Sequence, residues 1–365
     1  MKKILLSALV AGSTFAAVPS AMAQDNAIDL GIGGFMRGYV AVHDQDDMPG
    51  NESRTFDILR DTEVHFKGKT TLDNGLTVGF HTEIRNDLGD GSAVDESYVY
   101  FSGDWGRVNF GAEDGGAYLL QVAAPAADSN IDGVRQYLNP INYDTLTNGA
   151  FGTGFQIDYA TNSSGKSDKI TYTTPKFSGF QAAVSYTPEV SSSSRSLGVA
   201  EDDELDDRGS AYEIGARYER EIGDFNILLG AGYVAVDVEQ KSAASDDLKS
   251  WNTAAVLGWK NFQIGAVYFD EENVDTDANE NHDGFVIGAD YTMGLWVLGA
   301  SYLNGTYEEL AANEGDTERY SVGLTYNYGP GMSFRGSVHH VEHEFGGAIG
   351  DRDATSLLLG TQINF

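Results

Sequence analysis

Leu357-Leu358-Leu359-Gly360-Thr361-Gln362-Ile363-Asn364-Phe365 is the last stretch of the sequence. Its odd positions, Leu357, Leu359, Thr361, Ile363 and Phe365, are mostly apolar. Its even positions, Leu358, Gly360, Gln362 and Asn364, are mostly small or polar. A period of two sends alternate side chains to opposite faces of an extended strand. This strand therefore meets two different surroundings.

The same alternation recurs upstream. One face carries Tyr320-Val322-Leu324-Tyr326-Tyr328, Phe262-Ile264-Ala266-Tyr268, Phe180-Ala182-Val184-Tyr186, Tyr212-Ile214-Ala216-Tyr218 and Leu76-Val78-Phe80-Thr82-Ile84. Between them stand mainly Ser, Gly, Thr, Gln and charged residues. Aromatics often end these stripes, as the two interfaces of a membrane require. Tight turns are expected at Asp73-Asn74-Gly75, Asp104-Trp105-Gly106, Pro175 to Gly179, Gly223-Asp224, Lys260-Asn261, Met293-Gly294 and Gly329-Pro330-Gly331. Each uses Gly, Pro, Asn or Asp, whose backbone preferences make turns. Longer polar loops alternate with them: His43 to Asp57, Asn86 to Ala93, Pro188 to Arg208, Glu239 to Leu248, Glu272 to Asp283, Glu308 to Asp316 and Gly346 to Arg352. One connection, from about Glu113 to Ser167, is much longer.

Seven turns and eight loops make fifteen connections, hence about sixteen strands. The fold class expected is all-β, a transmembrane antiparallel β-barrel, with both termini on the side of the short turns. Counts of fourteen or eighteen are the alternatives. A soluble β-sandwich also alternates, but sixteen long strands exceed what a compact sandwich uses, and closure into a barrel removes the edges.

The first residues read as an address. Lys2 and Lys3 precede a mostly apolar run from Ile4 to Val18, and Ala21-Met22-Ala23 has the small-x-small form of a cleavage site. Residues 1–23 are therefore expected to be a signal peptide and 24–365 the barrel domain, beginning at Gln24. No later stretch offers about 20 uninterrupted apolar residues, so helical spans are excluded. The chain has no cysteine, which excludes thiolate nucleophiles and thiolate metal sites. The formal charge is −32; nucleic acid is excluded as a partner, because phosphate binding needs basic patches. The acids are spread through the chain, and 19 Tyr with 18 Phe argue against disorder.

Four segments carry a family resemblance. Leu30-Gly31-Ile32-Gly33-Gly34-Phe35-Met36-Arg37-Gly38-Tyr39 is one. Phe66-Lys67-Gly68 with Leu72-Asp73-Asn74-Gly75-Leu76 is another. Tyr172-Thr173-Thr174-Pro175-Lys176-Phe177-Ser178-Gly179-Phe180 and the terminal Asn364-Phe365 complete the set. Together they span the mature chain, which resembles the general diffusion porins of Gram-negative bacteria. The resemblance implies a homotrimer of sixteen-stranded barrels in the bacterial outer membrane, in contact with lipid and lipopolysaccharide. It also implies that the barrel-assembly machinery reads Phe365 and that the third loop folds inward to narrow the pore. The length of the 113–167 connection supports the last point independently, since such loops are usually functional. So does its apolar, Ala-rich start, Gly115 to Ala127, which needs a place other than bulk water.

A pore selects through its lining charges. The loop acids expected at the constriction are Glu113, Asp114, Asp128 and Asp132. Parity puts Arg37, Glu63, His65, Lys67, His81, Glu83, Arg85, Arg217 and Arg335 on the inner wall. Where porins of this kind often carry arginines on the second and fourth strands, this chain reads Asp61-Thr62-Glu63-Val64-His65 and Asp95-Glu96-Ser97-Tyr98. That departure, with the overall acidity, leads to an expected cation-preferring channel for passive diffusion. The alternative is a solute-specific channel for sugars or dicarboxylates.

Metal-like and enzyme-like patterns are weaker. In His339-His340-Val341-Glu342-His343 the outer histidines would lie about 13 Å apart on a strand, too far to chelate one ion. Asp275, Asp277, Asn279 and Asp283 have calcium-loop spacing, but Glu280 replaces the required Gly and Val286 the closing Glu. Loose Ca²⁺ or Mg²⁺ binding at acidic outer loops, bridging to lipopolysaccharide phosphates, is the expectation there. No nucleophile elbow, phosphate loop or dinucleotide fingerprint stands out, and no enzyme is expected.

Overall fold

Alternating side chains give each strand an apolar and a polar face, and pairing all of them into a cylinder satisfies every backbone group without an edge. The structure, a computed structural model, describes residues 28–47, 50, 52–85, 94–142, 145–146, 158–190, 198–199, 204–277, 280–309, 313–345 and 350–365. The leader expected over 1–23 lies outside these residues.

The strands are β1 (Asp29–Gln45), β2 (Phe56–Thr71), β3 (Thr77–Arg85), β4 (Val94–Gly103), β5 (Gly106–Ala112), β6 (Asp168–Thr173), β7 (Phe180–Thr187) and β8 (Arg208–Ile222). They continue as β9 (Phe225–Val238), β10 (Leu248–Trp259), β11 (Phe262–Glu272), β12 (Asn281–Met293), β13 (Trp296–Glu309), β14 (Asn313–Gly329), β15 (Met332–Phe345) and β16 (Arg352–Asn364). A short helix, α1 (Gly116–Leu119), opens the long connection. Each strand pairs antiparallel with its sequence neighbours, and β1 pairs with β16, so the described strands form one closed barrel of sixteen.

The seven tight turns fall where the sequence places them. At Asp73-Asn74-Gly75, the Gly75 amide donates to Leu72 O at 2.9 Å and the Leu76 amide to Asn74 Oδ1 at 3.0 Å. Gly75 has φ +83°, which a side chain would strain. Three long loops prove shorter than expected. β1 runs to Gln45 and β2 starts at Phe56; β12 starts at Asn281; only three residues separate β13 from β14. The apolar stripe stops where lipid stops, whereas backbone pairing continues into water. Hydropathy therefore underestimates strand length at that end.

The two faces are as the period requires. Leu357, Leu359 and Ile363 are exposed outward, while Leu358 and Gln362 are buried inward. Ring pairs mark the outer surface at both ends. Tyr186–Tyr212, Trp251–Tyr268 and Tyr302–Tyr320 lie toward the loops, with centroids 5.1, 5.2 and 5.0 Å apart. Trp296–Tyr326 lies by the turns, at 4.3 Å. Such girdles flank an outward apolar band.

Candidate pore constriction

Inside the barrel, the described residues of the 113–167 connection lie on the wall. Two features of the sequence let it do so. The first is glycine at inward positions. A Cβ at Gly215 would meet the carbonyl oxygen of Gly116, at Gly230 the side chain of Val122, at Gly288 the carbonyl oxygen of Pro125, and at Gly299 that of Ala126. These glycines sit on β8, β9, β12 and β13, so the loop backbone crosses strand after strand in a track without side chains. The second feature is an apolar patch under it. Val122, Ala124 and Tyr159 of the loop form one buried cluster with Leu228, Ala254, Val256, Val267, Phe269, Val286 and Leu303 of the wall. Burying one Val or Leu contributes roughly 1.5–3 kcal/mol. This is where the Ala-rich segment goes.

Polar anchors then fix the far side of the loop. Asp128 accepts from Arg335 Nη1 at 2.7 Å and from the Tyr39 hydroxyl at 2.8 Å. Asp132 accepts from the amides of Ala127 and Asp128 at 2.9 and 2.8 Å and from Ser301 Oγ at 2.7 Å. Asn130 accepts from Arg37 Nη1 at 2.6 Å and donates to Tyr39 and Gln362. Beyond it, Ile131 and Leu138 pack with Tyr39, Ala41 and Leu358. Asp128 and Asp132, expected to line the constriction, are thus buried in anchoring bonds.

The near end is also tied down. Glu113 accepts from Asn109 Nδ2 at 2.6 Å, and its carbonyl accepts from Lys169 Nζ. Burial pushes the Glu113 carboxyl up to about 7, against which Asn109 pulls the other way. Asp114 accepts from Asn162 Nδ2 at 2.9 Å. Inward on β8, Glu213 accepts from the Ala117 amide at 3.3 Å and from Ser164.

The wall beyond the apolar part of the loop lies on β2 to β4, and it is a ladder of charges. Arg37 Nε is 3.0 Å from Asp61, which also accepts from Arg85 Nη2 at 3.2 Å. Arg85 reaches Glu63 at 3.8 Å and Asp95 at 3.9 Å. Glu63 bonds His65 Nε2 at 2.5 Å and Glu83 bonds His81 Nε2 at 2.6 Å. Cross-strand register makes these neighbours: Glu63 faces Arg85, His65 faces Glu83 and Lys67 faces His81. Glu83 also faces Glu96 on β4, and like charges opposite one another repel. Lys166, on the returning end of the loop, lies against Asp95, within 3.3 Å of Glu96 and 3.9 Å of Glu83. Burial opposes its charge, but Asp114, Glu96 and Asp95 outweigh that and hold the ammonium above its usual range.

All nine expected wall charges have inward parity. Eight of them surround the loop anchors and the ladder. Arg217, on β8 opposite Gln181 and Gly230, stands apart from both. Lys166, Lys169 and Glu213 are not among the site residues expected from the sequence. Parity would have found Lys169 and Glu213, which alternate with the outward Ile170 and Ile214. Asp95 breaks parity because the register shifts between Glu83 and Ile84, which turns two successive acids, Asp95 and Glu96, to the interior. Of the proposed calcium loop, Asp283 lies within β12, where it accepts from the Tyr268 hydroxyl at 3.3 Å, and Asp277 follows a 3-10 turn. Asn279 and the Asp275 side chain lie outside the described residues. His339 and His343 point inward from β15 and bond Ser321, Ser337 and Thr317.

A sequence profile for the family described as Gram-negative porin matches residues 6–345. No curated protein sequence matches the chain. Among solved structures, the barrel is similar to the anion-selective porin from Comamonas acidovorans (TM-score 0.63, 16% identity, 93% of this chain and 100% of that one). It is also similar to the Vibrio cholerae outer-membrane protein OmpT in a trimer form (0.59, 14%, 93% and 100%) and to a mutant porin of Rh. blastica (0.56, 16%, 92% and 100%). At these identities the likeness is one of fold.

Proposed function

The chain belongs to the Gram-negative porin family, and from that premise we propose that it forms a water-filled, cation-preferring channel for passive diffusion of ions and small hydrophilic solutes across the outer membrane. The observation that carries the preference is the acidic rim on the loop side. Asp46, Asp47, Asp207, Asp246, Asp247 and Glu272 stand there; Lys241 pairs with Asp246 and Asp247, and Lys249 with Glu272, so these six acids still outnumber the bases paired with them. A mouth of one sign concentrates the opposite ion. Further in, the three bases Arg37, Arg85 and Lys166 share five carboxylates, those of Asp61, Glu63, Glu83, Asp95 and Glu96.

The chain assembles as a homotrimer in this reading, a state recorded for the Vibrio cholerae neighbour. The leader is cleaved before Gln24. Calcium or magnesium ions bridge the acidic rim to lipopolysaccharide phosphates. The deciding experiment is the reversal potential of purified protein in a planar bilayer under a potassium chloride gradient. Cation preference is expected. An anion-selective sign would overturn it.

A further inference from the structure

Glu63, His65, His81 and Glu83 are combined in a way the channel reading does not use. The carboxylate oxygens divide their work. Oε2 of Glu63 faces Arg85 and Oε2 of Glu83 faces Lys166, whereas both Oε1 atoms face imidazoles. Ionised Glu63 can only accept, so His65 Nε2 carries the hydrogen in their 2.5 Å bond. The other ring nitrogen of His65 is Nδ1. That atom is buried and makes no hydrogen bond. It lies 3.6 Å from Glu83 Oε1, beyond hydrogen-bond reach.

We propose that His65, His81 and Glu83 form a zinc site on the pore wall, with Glu63 as the residue that positions His65. One ligand atom from each of the three lies within 4.8 Å of the others. Zinc held tetrahedrally at about 2.0–2.1 Å sets its ligands about 3.4 Å apart. The His65–Glu83 separation of 3.6 Å is close to that already. The His81–Glu83 contact of 2.6 Å must open, because zinc takes the place of the proton those two groups share. The His81 ring is held for this, stacked on Tyr98 with centroids 5.1 Å apart.

Glu63 supplies the support that metal-bound histidines usually have, a carboxylate on the other ring nitrogen. Two imidazoles and one carboxylate suit zinc, whereas calcium and magnesium take oxygen ligands. The ligands come from adjacent strands, β2 and β3, so the sheet fixes their spacing. The fourth position would hold water. Facing cations are Arg85, Lys67 and Lys166; facing acids are Asp61, Asp95 and Glu96.

The test is zinc content and does not depend on which ions the channel prefers. Full-length folded protein without a polyhistidine tag is dialysed against micromolar zinc with excess magnesium, and bound metal is measured by atomic emission. One zinc per chain is expected, with an X-ray absorption spectrum showing imidazole and oxygen ligands. His81→Gln keeps a donor for Glu83, and with His65→Ala it should reduce affinity tenfold or more. Glu63→Ala should weaken zinc roughly tenfold through the His65 ring. The double variant His339→Ala/His343→Ala should bind as the parent does. Binding that excess magnesium abolishes would overturn the site. So would undiminished zinc in folded His81→Gln and His65→Ala, or loss of zinc in the His339/His343 variant.

Discussion

The inner wall has two halves that solve opposite problems. From β9 to β13 it is mainly apolar or glycine, with a few polar side chains such as Asn252, His282 and Ser301, and the long connection covers it. From β2 to β4 it is charged, and the long connection meets it through the ammonium of Lys166. Polar interiors are the rule for such barrels, because water fills them. The covered half departs from that rule because its solvent is the loop. Lumen chemistry thus follows what lies on each strand rather than the strand's place in the barrel.

If the covered half depends on its anchors, breaking one at the edge should have the largest effect. Asp128→Ala leaves Arg335 buried without its partner, which costs about 3–5 kcal/mol in such pairs. Urea unfolding of the protein in detergent should show it, with unstable open-channel current in bilayers. An unchanged midpoint would mean that the loop is held elsewhere.

A smaller loss is expected from Gly288→Ala. Its Cβ would meet the Pro125 carbonyl, and overpacking of this kind costs about 1–3 kcal/mol. A control at Gly258, which would meet mainly Asn226, should be milder. Equal unfolding midpoints for the two would remove the glycine track from the argument. Ser301→Ala deletes a single bond to Asp132 and should cost about 1 kcal/mol in the same assay.

The pH response links the halves through Glu113. Its folded value of about 7 lies above the ordinary 4.5. Between those values the folded chain holds a proton that the unfolded chain has released. Stability from this group is therefore greatest below the window and falls as pH rises through it. The channel should respond in the opposite sense. Raising pH through the same window adds a negative charge beside the constriction and should increase cation preference. Glu113→Gln should flatten that slope in reversal-potential measurements; an undiminished slope would assign it to other groups.

Much of this was legible in the sequence. The period of two gave the strands and both faces, and turn residues at fixed places gave the seven turns. The apolar opening of one connection showed that it needed cover. The partners of that cover could not be read, because Gly288 meets Pro125 and Arg335 meets Asp128 across some 160 to 210 residues. Local patterns carry no information on such pairs. Parity placed all nine wall charges inward but failed at Asp95, where a bulge adds one residue. The loop acids Asp128 and Asp132 looked like field-forming charges because their hydrogen-bond donors are remote in sequence or belong to the backbone.

The seam between β1 and β16 has a consequence for assembly. Gly34 and Phe365 exchange two backbone bonds, at 2.9 and 3.0 Å, across 365 − 34 = 331 positions. That is a contact order near the maximum the chain allows, and such contacts form late and slowly. Until they form, β1 and β16 both present raw edges, each a template for another chain. Folding intermediates therefore carry two adhesive ends. A defect at the seam should appear as aggregated or degraded protein, with the surviving channels conducting normally.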